Sequence, residues 1–331
     1  MGKIVAITGA AGYLGQVLIQ HLQTLSWVER IIALDVRPVA ANGRVISHAL
    51  DVRESSFMRA ILAEHGVTHL VHGAFHTSLP ANMSPDQMRS NNVDGSQLAL
   101  KTALELGVEQ ALFVSSVSVY GYRGGNPPQV REDHRLWPNM AYGQHKVLVE
   151  NFLRDMEHHY PNTQIAIMRL AALAGPRGRL LSPLMAMTAQ PVFVLSNGGR
   201  AMTQALHEDD AAAFITRVLE TNVAGTFNVA PNDAASWSSV ARISRRTPFS
   251  LPRLLLNLAA RFNRLLPELK GFNREVVDYL SESLVVDNTA ARTQLGWKPR
   301  FGTLDAFGQM FGTQPILRVR GRSPSVFSER R

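Results

Sequence analysis

Short apolar runs, each long enough for one buried strand, recur along the first half of this chain with helical stretches between them. Lys3–Thr8, Arg30–Asp35, Arg44–Ala49, Thr68–Ala74, Ala111–Ser116 and Gln164–Leu170 are rich in Val, Ile, Leu and other apolar residues. A strand with one wet face alternates apolar and polar residues. These are closer to continuous, so both faces of their sheet must be covered. The intervening segments carry helix punctuation: Glu54–His65 closes at Gly66 and Asp86–Leu106 at Gly107. The pattern predicts an α/β chain built on an open, doubly wound parallel sheet.

The alternation degrades after about residue 170. This predicts a first domain over 1–175, a smaller C-terminal lobe over 176–315 that forms the substrate side, and a basic mobile tail over 316–331. A strand signal at Thr226–Ala230 returns the chain to the main sheet. With 331 residues, 45% hydrophobic and 18% charged, there is ample material for a core, and disorder is excluded as the main state. No apolar run approaches the roughly 18 residues of a membrane span. Lys3 before an apolar stretch faintly mimics a secretory leader, but Gly9, Gly12 and Gly15 interrupt it and no small-residue cleavage site follows. Cys is absent, which removes disulfides and thiolate chemistry and fits a reducing, cytoplasmic setting.

The net charge of +8 is local. Residues 241–270 carry seven Arg/Lys against Glu268, and residues 316–331 carry five Arg against Glu329. With +6 and +4 in those segments, the remainder sums to −2. A nearly neutral body argues against a nucleic-acid face spread over the fold.

Lys3–Thr8 runs straight into Gly9-Ala10-Ala11-Gly12-Tyr13-Leu14-Gly15, and the pattern then turns helical. Glycines at this spacing allow a tight turn, close approach of backbone to a pyrophosphate and close packing of the helix, whose N-terminus offers N–H groups to an anion. Asp35 ends the second strand, where a carboxylate meets adenosine ribose hydroxyls, and Asp51-Val52 follows the third, placed for the adenine. The reading is a Rossmann-type dinucleotide site. Asp35 repels a 2′-phosphate and favours NAD, whereas Arg37 leaves NADP open.

Tyr142 and Lys146 lie four apart on a helical stretch, and Ser116 ends a strand at the ligand-binding edge. Together they suit proton transfer beside a nicotinamide. A Tyr hydroxyl titrates near 10, so use at neutral pH needs a nearby cation, which Lys146 and the oxidised nicotinamide supply.

The ordered set Thr8-Gly9-x-x-Gly12-x-x-Gly15, Asp35, Asp51, His72-Gly73-Ala74, Asn91-Asn92-Val93-Asp94-Gly95, Ser115-Ser116-Val117-Ser118-Val119-Tyr120-Gly121 and Tyr142-x-x-x-Lys146 resembles the extended short-chain dehydrogenases/reductases of the NAD-dependent epimerase/dehydratase family. The resemblance implies that Tyr142 is the acid/base, that Lys146 holds the nicotinamide ribose, and that Ser116 hydrogen-bonds the substrate oxygen. It places Asn91, Ala74, Tyr13 and Leu14 beside the cofactor. It also implies a homodimer through the helices Asp86–Leu106 and Tyr142–Met156.

Departures from the family's nucleotide-sugar pattern are specific. After the sixth strand, Arg169-Leu170-Ala171-Ala172-Leu173-Ala174-Gly175-Pro176 has Ala172 where an Asn holds the substrate pyrophosphate, and Thr203 stands where an Arg does. Arg177, Arg179 and Arg200 are substitutes to consider. Val117 and Ser118 replace the Asp-Glu pair of the dehydratases, which speaks against sugar dehydration. The expectation is hydride transfer at a hydroxyl or ketone of a small or lipophilic substrate. A UDP-sugar 4-epimerase is the alternative and a non-catalytic dinucleotide-binding scaffold a third reading, disfavoured because Tyr142 and Lys146 are both present.

In His207-Glu208-Asp209-Asp210 the carboxylates precede a helix over Ala211–Leu219 and read as Asp N-cap and first-turn residues rather than a metal site, and Glu132-Asp133-His134, in a Pro-flanked loop, as a solvated lid edge rather than a second acid/base set. From Leu251 to Lys270, Leu254, Leu255, Leu258, Phe262, Leu265, Leu266 and Leu269 line one side of a helix, with Arg253, Asn257, Arg261 and Arg264 on the other. The favoured expectation is that the leucine side packs on the second lobe or roofs the pocket. The alternative is peripheral membrane contact through 251–270.

Overall fold

The computed structural model describes residues 2–178, 192–262 and 273–313. Its centre is a seven-stranded parallel sheet. In chain order come β1 (Lys3–Thr8), α1 (Tyr13–Leu22), β2 (Val28–Asp35), β3 (Val45–Ala49), α2 (Ser55–Glu64), β4 (His69–His72), α3 (Pro85–Arg89), α4 (Gly95–Glu105), β5 (Gln110–Ser116), α5 (Ala141–Glu157) and β6 (Gln164–Leu170). Then follow β7 (Ala172–Ala174), β8 (Val192–Ser196), β9 (Met202–Thr203), β10 (Ala205–His207), β11 (Gly225–Val229), β12 (Ala235–Ser236) and β13 (Thr247–Leu251). The main sheet runs β11-β6-β5-β4-β1-β2-β3, so the order reverses at β1, and in sheets of this kind ligands bind outside the carboxyl ends of the strands at that reversal.

Successive residues of each strand enter two separate cores, as a two-residue period requires. Val5, Ile7, Ile31, Ala33, Leu112 and Met168 join α1 and the helix Glu208–Thr221 on one face. Ala6, Ile32, Leu34, Phe113 and Ile167 join α2, α4 and α5 on the other. Strands this thoroughly buried explain the near-continuous apolar runs in the sequence.

Beyond β6 the elements are short. β10 pairs with β7, β12 with β9 and β13 with β8 in two-stranded sheets, while β11 returns parallel to β6, within one residue of the predicted Thr226–Ala230. Two expectations change. The stretch predicted as one helix over Asp86–Leu106 contains a π-turn at Ser90–Asp94 between α3 and α4. Over the described part of the 251–270 segment the leucine side does not pack inward: Leu254, Leu255, Leu258 and Phe262 are exposed, while Arg253 turns inward onto Asp278 and Glu282. Leu265, Leu266, Leu269, Arg264 and the tail over 316–331 lie outside the described residues. Among the described residues, no helix is long and apolar enough to cross a membrane.

Candidate active site

The glycine-rich turn brings three strand ends together. Gly9 has φ +72°, and a Cβ there would sit 2.7 Å from the Ala74 nitrogen, so β1 and the chain after β4 meet only if residue 9 has no side chain. A Cβ at Gly15 would meet the Gly9 carbonyl at 2.3 Å. Gly12 is the N-cap of α1, whose first-turn N–H groups, including those of Tyr13 and Leu14, have no carbonyl partner within the helix. Asp35, at the end of β2, accepts from the Ala11 N–H at 3.0 Å and the Arg37 N–H at 2.9 Å. The Arg37 guanidinium donates to the Ala11 carbonyl at 3.1 Å, with its Nε 3.7 Å from Asp35. Asp51 is engaged by Arg53 at 2.6 Å, which holds its carboxyl below the usual range, and Val52 abuts the backbone at Gly95. A backbone cradle open for a phosphate and a carboxylate at the neighbouring strand end fit a dinucleotide.

Ser116, Tyr142 and Lys146 converge at the end of β5. A Cβ on Gly143 would lie 2.6 Å from the Ser118 carbonyl, so α5 presses against the 3-10 turn Val117–Tyr120 that follows β5. This brings the Tyr142 hydroxyl into hydrogen-bonding reach of Ser116. Burial pushes the Tyr142 hydroxyl up to about 12, and the Ser116 hydrogen bond pulls it back in part. Lys146 is 2% exposed. Its Nζ donates to the Val114 carbonyl at 2.6 Å and lies 3.5 Å from the Phe75 ring centroid and 5.6 Å from that of Tyr142. Burial drives the Lys146 pKa well below its ordinary value, and Glu150 opposes this. The aromatic cover from Phe75 has no sequence motif; only its place directly after Ala74 hints at it.

A buried polar chain fixes these strand ends. Thr8 Oγ accepts from the Gly73 and Ala74 N–H groups at 3.2 and 3.3 Å, so its own proton points to His72 Nδ1 at 2.8 Å. Ser96 donates to the Asn92 carbonyl at 2.5 Å, so it accepts from His72 Nε2 at 2.8 Å. His72 is therefore a neutral Nε2–H tautomer, consistent with burial lowering its pKa to about 3. Asn92 in the π-turn holds both backbone groups of His76, while the neighbouring Asn91 has a buried Oδ1 with no partner. The Asn91 amide nitrogen lies 3.4 Å from His76 Nε2 and 3.8 Å from Met83 Sδ.

Glu208 was legible only as part of a helix start. It is 1% exposed and accepts from the Tyr13 hydroxyl and from Arg177, whose guanidinium also reaches Asp209 at 3.1 Å. Burial and the Glu208 charge push the Tyr13 hydroxyl well above its usual value, so Tyr13 serves as a fixed donor. His207, not an Asp, is the N-cap: its Nδ1 accepts from the Asp209 N–H, with three acids in the first turn. Nor is Glu132 merely a solvated edge, since its carboxylate accepts from the Asn228 N–H and its carbonyl from Arg169. Among the described residues no cluster of three or more His, Asp or Glu could hold a metal.

The fold and this edge-on site define a dinucleotide-binding α/β protein. The chain belongs to the NAD dependent epimerase/dehydratase family, whose model matches residues 5–230. An uncharacterised protein of Mycobacterium tuberculosis is 28% identical over 96% of this chain and 87% of its own length. A UDP-glucose 4-epimerase of Halalkalibacterium halodurans is 23% identical over 91% of this chain and 92% of its own. Among solved structures, a Stenotrophomonas maltophila UDP-glucose-4-epimerase with bound NAD and formylated UDP-arabinopyranose superposes with a TM-score of 0.75 at 20% identity, covering 94% of this chain and 97% of that one. A Thermotoga maritima UDP-glucose 4-epimerase with UDP-glucose gives 0.74 at 17%, covering 94% and 98%.

Proposed function

We propose that this chain binds NAD along the carboxyl ends of β1, β2, β4 and β5 and transfers hydride at a hydroxyl or ketone carbon of a small or lipophilic substrate that carries no nucleotide diphosphate. The observation that carries the substrate reading is the state of Arg177. Ala172 and Thr203 supply no charge, Arg177 is already bound by Glu208 and Asp209, and Arg200 is exposed, while Arg179 lies outside the described residues. When bound, NAD supplies the hydride donor or acceptor and, oxidised, a positive charge. Tyr142 gives or takes the proton at the substrate oxygen, Ser116 fixes that oxygen, and Lys146 has two donors left for ribose hydroxyls after Val114 takes one. Homodimer assembly through α4 and α5 fits their exposed Leu98 and Leu148.

A nucleotide-sugar 4-epimerase is the second reading, supported by relatives so described that align over nine-tenths of the chain. Calorimetric titration of the NAD-loaded protein with UDP-glucose and with UDP separates the two. The first reading expects no saturable binding of either; tight binding that depends on the UDP group overturns it.

Cofactor choice is the next expectation. A 2′-phosphate beside Asp35 brings like charges together, with repulsion of about 1–3 kcal/mol, or roughly five- to more than a hundredfold in affinity. Arg37 offsets little of this while it lies on the Ala11 carbonyl and Asp35. Fluorescence titration should show NADH binding more tightly than NADPH, with Asp35→Ala narrowing or inverting the gap. Equal or tighter NADPH binding by the unmodified protein would show that Arg37 governs the pocket.

A further inference from the structure

The helix Arg253–Arg261 has its apolar stripe on the outside. Leu256 is buried, the helix packs on Arg274–Ser281, and Arg253 is tied inward by Asp278 at 2.7 Å and by Glu282. On the other side Leu254, Leu258 and Phe262 follow at four-residue intervals with Leu255 beside them, all exposed, Leu254 at 78%. Together with Phe249 they make five of the eleven large exposed hydrophobics among the described residues, gathered within fourteen positions. Such a cluster is unusual on a surface meant for water.

Charge selects the occupant. Between Arg242 and Phe262 the chain has five arginines and no acid. Arg253 is neutralised within the lobe, and Arg246 lies 5.4 Å from the Phe311 ring, which leaves Arg242, Arg245 and Arg261 exposed. A neutral apolar partner would cover the leucines and leave the arginines unanswered; an acidic protein face would answer the arginines and leave the leucines wet. An anionic lipid surface satisfies both at once, with aliphatic side chains in the acyl boundary and guanidinium groups among the headgroups.

We propose that the helix Arg253–Arg261 docks this protein, lying flat, on an anionic membrane surface. The docking goes beyond the reaction and does not depend on it. It does bear on the site: Glu275 of the next helix accepts from the Ala141 N–H at 2.8 Å, one residue before Tyr142, and Tyr279 packs edge-on against Tyr122 at 4.8 Å. The docked element is thus joined to the catalytic helix.

Co-sedimentation of the full chain with vesicles of phosphatidylcholine and phosphatidylglycerol in equal parts, and with phosphatidylcholine alone, tests this. Binding should require the anionic lipid and weaken with salt. Arg261→Ala should reduce partitioning about fivefold, and the exposed pair Leu254→Glu with Leu258→Glu should reduce it more than tenfold with an unchanged melting curve. Failure of the unmodified chain to bind anionic vesicles overturns the proposal, as does undiminished binding by the Leu pair variant. It is equally overturned by light scattering that shows self-association lost in that variant without any vesicle binding, which would make the occupant a second copy.

Discussion

Replacing Tyr142 by Phe should abolish turnover, by a factor of about 100 to 10,000, while NADH affinity stays within a few-fold. The ring keeps its edge-on contact with Phe75, at 5.6 Å between centroids, so the pocket wall survives and only the proton-carrying hydroxyl is lost. The glycine turn and Asp35, which are predicted to hold the cofactor, are untouched. The pH behaviour follows from burial. With its ionisation near 12, the folded protein favours the neutral phenol, and alkali must work against desolvation to remove the proton. Ultraviolet difference titration of the cofactor-free protein against the Tyr142→Phe variant should place the midpoint of Tyr142 ionisation near pH 12, and oxidised cofactor should shift it downward. Alcohol oxidation needs the ionised form and should rise with pH; carbonyl reduction needs the neutral form and should fall. Turnover retained by Tyr142→Phe would remove this residue from the acid/base role.

The sheet was legible because burial on both faces leaves its mark directly in composition. Lys3–Thr8 and Gln164–Leu170 coincide with β1 and β6. Thr68–Ala74 contracts to His69–His72: the Gly73 N–H still reaches the Thr8 carbonyl at 3.1 Å, but the Ala74 N–H turns onto the Thr8 hydroxyl and the ladder ends. A π-turn leaves no trace in the apolar period when its own residues, Asn91 and Asn92, are polar and act through side chains. Strands of two or three residues, such as β9 and β10, are too short to show any period at all. The orientation of the helix Arg253–Arg261 was misread for a different reason: the pattern gives two faces but not which one turns inward, and Asp278 and Glu282 decide that from another helix.

The site divides along similar lines. Residues recognised by spacing, from Gly9 to Lys146, gather along one edge of the sheet. Those that depend on a partner far away in the chain were not legible. Glu208 looks like any first-turn acid until Tyr13, 195 positions earlier, is seen to donate to it. Glu150 looks like a solvent-facing helix residue, yet it is fully buried and accepts from Ser115 of β5.

That Glu150 cluster yields the largest expected loss of stability. Its carboxylate accepts from Ser115 at 2.6 Å, from Arg169 Nη2 at 2.7 Å and from Arg154 at 2.8 Å, and Ser115 faces Arg169 across β5 and β6. Arg169 is 1% exposed; its remaining donors go to the Tyr120 hydroxyl at 2.7 Å and the Glu132 carbonyl at 2.8 Å. Glu150→Ala strands this guanidinium in a site that cannot hydrate it. Removing one partner of such a buried pair costs about 3–5 kcal/mol. For a chain of this size that corresponds to a fall in Tm of about 4–7 °C. Arg154→Ala removes only the partner whose side chain is 38% exposed and should cost about 1 kcal/mol or less. Because Ser115 directly precedes Ser116, the same lesion should also lower turnover in the protein that remains folded. Calorimetric melting of the two variants side by side checks the ordering; equal shifts would mean that water reaches Arg169 and that the cluster is a surface network rather than the buried support of β5.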